Sequence, residues 1–130
     1  MAREERSAIV VTSSGLGSRP IGGVTTYSAA KGCATYLAQA LSYEVKDKID
    51  VMSWEAGMSG TNIFKGNEEM KKKLETPSKS VDGMLKDIGR ERLTYGSFSH
   101  DWANWLFFAM PAPIVLPFMT NMFCEVYRKE

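Results

Sequence analysis

A short apolar run near the amino terminus constrains the fold of this chain more than any other feature. Ala8, Ile9, Val10 and Val11 follow one another without a polar interruption, and most of them are β-branched. A strand with one solvated face alternates apolar and polar residues, so a continuous run predicts a strand buried on both faces of a parallel sheet. We place this strand at Ser7 to Thr12.

The residues after this strand predict a loop, a long helix and a second strand. Pro20, Gly22 and Gly23 give residues 18–26 the chemistry of a loop, and a helix should begin near Thr25 or Thr26. Its buried face should comprise Ala30, Cys33, Ala34, Leu37, Leu41 and Val45. Ile49 to Trp54 predicts the second strand. The order strand, helix, strand indicates an α/β fold with two parallel strands.

The carboxyl-terminal part predicts helices and an apolar tail. Val81, Leu85, Ile88 and Leu93 indicate one more amphipathic helix. Residues 102–124 carry no formal charge over 23 positions, which is long enough to span a bilayer, but three prolines interrupt the run. We therefore expect two short apolar segments, at residues 102–110 and 114–123, joined by a bend. They could lie on a membrane, pack on a partner or close a core.

Composition argues against several classes of function. A net charge of +1 shows no basic excess for nucleic acid, and two cysteines without a CxxC pair, with one histidine, argue against a zinc site or a disulfide framework. The charged residues 1–6 do not resemble a signal or transit peptide, and with Met1 in place we expect a chain made at this length. The run Lys71-Lys72-Lys73 predicts a solvated face, with contact to anionic lipid or acyl phosphate as the alternative.

Tyr27 and Lys31 are candidates for acid–base chemistry. They stand four residues apart in the predicted helix, so their side chains leave the same face about one turn apart. An ammonium group favours the phenolate of a nearby tyrosine, which is otherwise a poor acid or base near neutral pH. Ser14, at the end of the preceding strand, could hydrogen-bond the oxygen that Tyr27 protonates. Taken singly, a helical tyrosine and lysine at this spacing are more often surface residues.

In combination these residues are more specific. The string from Ile9 to Gly15, followed by Tyr27-Ser28-Ala29-Ala30-Lys31 with Tyr27 13 residues after Ser14, resembles the active-site stretch of short-chain dehydrogenases with its YxxxK motif. The resemblance implies that Tyr27 is the general acid and base, that Lys31 favours its phenolate and binds the nicotinamide ribose, and that Ser14 orients the substrate carbonyl. Hydride would come from NAD or NADP. Ser13 is the alternative to Ser14, although the spacing favours Ser14.

The next landmark of that family is a PGxxxT loop after the second strand, which contacts the nicotinamide. Residues 56–61, Ala56-Gly57-Met58-Ser59-Gly60-Thr61, correspond to it here. The resemblance implies cofactor contacts by Gly57, Ser59 and Thr61. Ala56 replaces the proline, and Glu55 is expected to add a charge to the loop. A plain loop between a strand and a helix is the alternative.

Later motifs narrow the resemblance. Thr76-Pro77-Ser78, Ile88-Gly89, the stretch from Thr94 to His100 and the apolar tail are similar to the membrane-associated branch of 17-beta-hydroxysteroid dehydrogenases and very-long-chain 3-oxoacyl-CoA reductases. The branch implies location at the endoplasmic reticulum; a mitochondrial membrane complex is the alternative. His100 has no implied chemistry, and we expect it to have a structural hydrogen-bonding role.

The implied fold is α/β and partial Rossmann-type: the C-terminal half of a doubly wound parallel sheet, with a helical apolar C-terminal tail. We divide the chain into a charged lead at 1–6, a strand-helix-strand catalytic half-domain at 7–64, substrate-loop helices at 65–100 and an apolar helical tail at 101–130.

The nucleotide-binding landmarks of the family are missing. A complete member carries a TGxxxGxG turn and an NNAG segment ahead of the first strand, and the 130 residues contain neither. Three hypotheses follow. A second polypeptide could supply the nucleotide-binding half of an oxidoreductase that reduces a 3-oxoacyl or steroid-like ketone. The chain could instead be an inactive structural subunit of a larger membrane-associated complex, or a fragment of a conventional enzyme.

Overall fold

The computed structural model describes residues 7–60 and 68–127. Within them the chain forms, in order, β1 (Ser7–Ser14), α1 (Thr25–Glu44), β2 (Ile49–Ala56), α2 (Glu68–Lys73), α3 (Pro77–Asp87), β3 (Leu93–Thr94), α4 (Phe98–Ala109) and α5 (Ala112–Tyr127). A 3-10 turn at Gly15–Ser18 follows β1 directly. The strand, helix, strand order predicted for the first half is confirmed.

The strands form one parallel sheet in the order β1-β2-β3. β1 pairs with β2 along its whole length, from Ser7 opposite Ile49 to Ser14 opposite Ala56. Helices flank this sheet, so the predicted partial Rossmann-type α/β fold is confirmed. The expectation of two strands was wrong, because Leu93 and Thr94 pair with β2 as a third strand instead of extending a helix. Two residues are too few to show the alternation by which a strand is recognised.

The strand β1 is less buried than its apolar sequence predicts. Its first residues are exposed, with Ile9 at 41%, and only Ser13 and Ser14 at its end are buried. In the described part of the chain β1 pairs on one side alone, whereas β2 lies between two strands and buries Val51 and Met52. A sequence suited to the interior of a sheet therefore stands at an uncovered edge.

The helix α1 packs through a different face from the one predicted. Ala30, Cys33 and Leu37 are exposed, and the other predicted residues are half-buried. The buried residues instead are Ser28, Gly32, Thr35, Ala38 and Ser42. The helical spacing holds, but the prediction counted only apolar residues. Small side chains let this helix approach the sheet closely, so serine and threonine take the inner positions.

Two glycines bring the 3-10 turn against α1 at the position of Lys31. A Cβ atom on Gly32 would lie 2.8 Å from the carbonyl oxygen of Gly17, and one on Gly17 would lie 2.6 Å from the amide nitrogen of Gly32. Both neighbours are backbone atoms, which cannot rotate away. The close approach fixes the segment after β1 beside the helix.

Replacing Gly32 with alanine should therefore destabilise the protein. In a free helix this change would be favourable by about 1 kcal/mol, but here overpacking should reverse the sign and lower the free energy of unfolding by about 1–2 kcal/mol. Urea unfolding measures the difference. Cys33→Ala, at the next and exposed position, is the matched control and should change stability little; equal effects of the two substitutions would contradict the packing described.

The last two helices form a bent apolar hairpin. α4 and α5 correspond to the two apolar segments expected from the sequence, although α4 begins earlier, at Phe98. The Arg19 guanidinium donates to the carbonyl oxygens of Phe108 at 2.9 Å and Met110 at 3.1 Å, at the break between the helices. Among the described residues no single helix is long and apolar enough to cross a membrane, but α4 and α5 together pass that test with a bend of 119°.

Candidate functional site

The site begins where the end of β1 meets α1. The Lys31 ammonium donates to the carbonyl oxygen of Thr12 at 3.2 Å, and the Ser13 hydroxyl donates to the carbonyl oxygen of Lys31 at 2.6 Å. Side chain and backbone of the same lysine are thus bonded to neighbouring residues of the strand. This double connection fixes the position of Lys31 relative to the end of the sheet.

Tyr27 lies one turn before Lys31, in the first turn of α1. The Lys31 ammonium is 5.8 Å from the centre of the Tyr27 ring. Tyr27 is 46% exposed, so its side chain can contact a bound molecule. The pair predicted from the sequence is therefore on one face of the helix, as the four-residue spacing requires.

Ser14 is better placed for chemistry than Ser13. The Ser14 oxygen accepts a hydrogen bond from the Leu16 amide at 3.3 Å, which leaves its own hydroxyl hydrogen for another acceptor. Ser13 already donates to Lys31 and lies 2.7 Å from the Thr35 hydroxyl. The contacts support the choice of Ser14 over Ser13 that the spacing favoured.

A cavity of about 740 Å³ joins these groups to the loop after β2. Ser14, Tyr27 and Lys31 line it together with Gly57 and Ser59, two of the predicted cofactor contacts. Thr61, the third, lies outside the described residues. The remaining wall is mainly apolar and includes Leu16, Leu74, Val81, Phe107, Met119 and Phe123. Such a cavity suits a largely apolar molecule with one polar end.

His100 and Glu75 hold the loop at Gly57–Gly60. The His100 ring lies against Gly57, where a Cβ atom would come within 2.6 Å of two ring carbons. Ser59 forms a β-bridge with Glu75, and the Gly60 amide donates to the Glu75 carbonyl at 2.9 Å. The loop is therefore clamped from α4 on one side and from the segment before α3 on the other.

The Glu75 carboxylate is a buried centre of hydrogen bonds that the sequence did not reveal. It accepts hydrogen bonds from Ser97 and from Ser99 at 2.8 Å, forms an ion pair with the Lys79 ammonium at 2.8 Å, and lies 3.5 Å from His100 Nε2. Burial alone would raise the pKa of Glu75, but the hydrogen bonds and the Lys79 charge lower it to about 2. The other ring nitrogen of His100 lies 3.4 Å from the Tyr95 carbonyl. These contacts agree with the structural role expected for His100.

Glu55 was expected to add a charge to the loop, and this was wrong. Its side chain is 2% exposed and points toward α1, where it meets the hydroxyls of Thr35 at 3.1 Å and Ser18 at 3.3 Å. Burial raises the pKa of Glu55. Thr35 was missed because sequence analysis placed the buried face of α1 on other residues. The sequence did contain one signal of this buried contact, because Glu55 is the only charged residue near the end of β2.

The lysine run at the end of α2 is largely solvated. Lys72 and Lys73 are exposed, Lys71 is half-buried, and Lys73 pairs with Glu69 at 3.4 Å. Lys73 also borders the cavity. Within residues 7–60 and 68–127, no group of three or more His, Cys, Asp or Glu side chains is placed to hold a metal ion.

Removing the charge of Glu75 should make the protein less stable at neutral pH. A carboxyl group with a lowered pKa contributes stability above its ordinary value of 4.5 and loses it as pH falls toward 2. Glu75→Gln should lower the free energy of unfolding at pH 7 by about 1–2 kcal/mol and by much less at pH 3. Glu69→Gln, in an exposed pair, is the control. An effect independent of pH would contradict the assignment.

The chain is similar to known dehydrogenases and reductases. The short chain dehydrogenase family model matches residues 1–72, more than half of the sequence. A very-long-chain 3-oxoacyl-CoA reductase of Macaca fascicularis is 30% identical over 123 residues. That alignment covers 94% of this chain but 39% of the relative, so the chain spans well under half of the length of that protein. No solved structure shows significant similarity.

Proposed function

The chain belongs to the short-chain dehydrogenase family, and on that premise we propose that it is the catalytic half of an NAD(P)-dependent oxidoreductase that reduces a ketone. The observation that supports this most is the single cavity onto which Ser14, Tyr27 and Lys31 all open. A strand end and a helix contribute these side chains to one cavity, and a serine beside a tyrosine–lysine pair can supply a hydrogen bond and a proton to a carbonyl oxygen.

Each of the three residues has a distinct role in this proposal. The Ser14 hydroxyl donates a hydrogen bond to the substrate carbonyl oxygen and holds it beside the Tyr27 phenol. Tyr27 transfers its phenolic proton to that oxygen as negative charge develops there. The Lys31 ammonium favours the phenolate that remains. When it is bound, the nicotinamide cofactor supplies the hydride.

The described residues fit one end of such a cofactor. The Lys31 ammonium has three hydrogens, and the Thr12 carbonyl uses one of them, which leaves two for ribose hydroxyls. Gly57 and Ser59 on the clamped loop would face the nicotinamide. For the pyrophosphate, the sequence has no glycine-rich turn between a strand and a helix. We propose that a second polypeptide provides this half, with NADP or NAD as the cofactor, and that its sheet continues across β1.

The walls of the cavity favour an apolar ketone. Leucine, valine, methionine and phenylalanine side chains surround the space beyond the polar groups, and such walls suit an acyl chain or a steroid. The relative is described as a very-long-chain 3-oxoacyl-CoA reductase. We therefore propose a 3-oxoacyl or steroid-like substrate, which places the protein in lipid metabolism.

A second candidate function is that of an inactive structural subunit in a larger membrane-associated complex. The His100 ring lies against Gly57, in the loop expected to contact the nicotinamide, and Ala56 replaces the family's proline. Mass spectrometry of the native assembly, purified in mild detergent, distinguishes the two. A companion polypeptide, or a longer form of this one, bearing TGxxxGxG and NNAG supports the oxidoreductase; an assembly without these motifs supports the structural subunit.

Replacing the Tyr27 phenol should slow turnover strongly. In the native assembly, Tyr27→Phe should lower kcat by on the order of 10²- to 10⁴-fold, because it removes the proton that the carbonyl oxygen receives. Reduction of a 3-oxoacyl thioester, followed by NADPH consumption, measures the effect. Tyr36→Phe, at a 69% exposed position of the same helix, is the matched control and should leave the rate unchanged. Equal rates for all three proteins would refute the assignment.

We propose further that the α4–α5 hairpin contacts a membrane. Phe98, Trp102 and Trp105 form an exposed stripe on α4, and Ile114 and Phe118 form another on α5. The rings of Trp102 and Trp105 are stacked at 5.1 Å, and tryptophan is enriched where a protein meets the lipid interface. By resemblance the membrane is that of the endoplasmic reticulum; a mitochondrial membrane complex is the alternative.

Liposome flotation tests this contact. Replacing Trp102 and Trp105 with serine should reduce the fraction of protein that floats with phosphatidylcholine vesicles by several-fold, because each exposed indole buries apolar area in the interface. Tyr43→Ser removes an aromatic ring that is 62% exposed on α1 and should have little effect. If the double tryptophan variant and Tyr43→Ser float to the same extent, or if the wild-type protein does not float, the membrane proposal fails.

A further inference from the structure

A chain of buried polar side chains runs beneath the site, from β2 through α1 to β1. Glu55, Thr35 and Ser13 are 2%, 5% and 2% exposed. Glu55 Oε1 lies 3.1 Å from the Thr35 hydroxyl, which lies 2.7 Å from the Ser13 hydroxyl, which lies 2.6 Å from the carbonyl oxygen of Lys31. The chain therefore ends on the backbone of the proposed catalytic lysine.

The number of available hydrogens decides which group donates in each hydrogen bond of this series. The Lys31 carbonyl can only accept, so the hydrogen in its contact comes from Ser13. The 2.7 Å contact between the two hydroxyls must then use the hydrogen of Thr35, since Ser13 has no second one. Thr35 in turn has none left for Glu55, so the hydrogen between Thr35 and Glu55 belongs to the glutamate. Placing the Thr35 hydrogen in the shorter contact, to Ser13, therefore assigns the un-ionised form to Glu55.

We propose that Glu55 is a positioning residue that, as a neutral carboxylic acid, donates through Thr35 and Ser13 to hold Lys31 in place at the end of β1. This deepens the proposed function, on which its catalytic significance rests. The hydrogen-bond chain itself stands independently of any reaction.

The surroundings of Glu55 favour the neutral form. Its second oxygen faces the Ser18 hydroxyl at 3.3 Å, and that hydroxyl is closer to the Gly15 carbonyl, at 2.9 Å. The ionisable neighbour on the segment before α4 is Tyr95, whose pKa is raised, chiefly by burial, so it is an uncharged phenol. Within residues 7–60 and 68–127 no basic side chain pairs with Glu55. An ionised carboxylate here would be buried without a counter-charge.

Loss of the proton would break the chain at a defined place. Without it, Thr35 donates to the carboxylate, and two hydroxyl oxygens 2.7 Å apart have no hydrogen between them. Ser13 must then either move from Thr35 or release the Lys31 carbonyl. In both cases the connection between β1 and α1 loosens where Lys31 donates to Thr12.

Infrared spectroscopy of the full chain tests the protonation. At pH 7 the protein should show the carbonyl band of an un-ionised carboxylic acid, and Glu55→Gln should remove it. Glu75→Gln is the matched control and should leave the band unchanged, because the pKa of Glu75 is about 2. Absence of the band, or its persistence in Glu55→Gln, overturns the proposal.

The pH dependence of the free energy of unfolding is an independent test of the protonation state of Glu55. Because the pKa of Glu55 is raised, its stabilising effect is complete below the ordinary value of 4.5 and is lost as pH rises through the folded value. Glu55→Gln, which stays neutral at every pH, should lack this loss. A wild-type protein whose stability rises relative to Glu55→Gln over that interval would contradict a neutral Glu55.

The positioning role is tested by the reactivity of Lys31. Acetylation of its ammonium nitrogen by an N-hydroxysuccinimide ester, followed residue by residue with mass spectrometry, should speed up several-fold in Glu55→Leu. It should stay at the wild-type rate in Glu55→Gln, whose amide can still donate to Thr35. Lys48, on the exposed segment after α1, is the control for reagent activity and should react equally in all three, and circular dichroism checks that each variant is folded. Equal Lys31 rates in the three proteins overturn the positioning role.

Measurements of reductase activity distinguish a failure of the positioning role from a failure of the proposed function. In a native assembly that reduces ketones, Glu55→Leu should lower kcat by on the order of 10- to 100-fold through misplacement of Lys31, and Glu55→Gln should retain most of it. An assembly without reductase activity that still shows the carboxylic acid band and the Lys31 protection supports the positioning role and refutes the proposed function alone.

Discussion

Lys31 is bonded twice to the end of β1, and the rest of the site depends on this connection. Its ammonium donates to the Thr12 carbonyl, and its own carbonyl accepts from Ser13. These two bonds fix the first turns of α1 against the strand, so that Tyr27 and Ser14 open onto the same cavity. The close contact of Gly17 with Gly32 holds the intervening turn beside the lysine. The arrangement needs small residues on the inner face of the helix, and α1 has them.

The uncovered edge of the sheet is the reason why we propose a partner for this site. The strand β1 carries an apolar sequence suited to the interior of a parallel sheet, yet one of its edges is uncovered in the described structure and Ile9 is exposed. Ser14 lies at the carboxyl end of this same strand, and Tyr27 and Lys31 of α1 line the same cavity. A nucleotide-binding half that continued the sheet across β1 would bury the edge and would bring the cofactor to the residues that act on the substrate.

Sequence alone predicted the features that depend on local patterns. The order of strand, helix and strand, the bent apolar tail and the meeting of Ser14, Tyr27 and Lys31 follow from periodicity and from motif spacing. The third strand was missed because two residues are too few to show the alternation of apolar and polar side chains that is typical of a strand. The inner face of α1 was misassigned because close packing, which selects small polar residues, has no signature in hydrophobicity. Glu75 and Thr35 act through contacts with distant parts of the chain, which no local pattern records.

The most direct test of the account is to titrate the purified native assembly with NADPH while following nicotinamide fluorescence. We expect saturable binding that is lost when Tyr27→Phe and Lys31→Ala are combined, because Lys31 would hold the nicotinamide ribose beside the phenol. The 130-residue chain alone should bind much more weakly, since it lacks a glycine-rich turn for the pyrophosphate. Absence of binding by the intact assembly, or binding unaffected by the double substitution, would contradict the claim that this cavity is a cofactor-dependent active site.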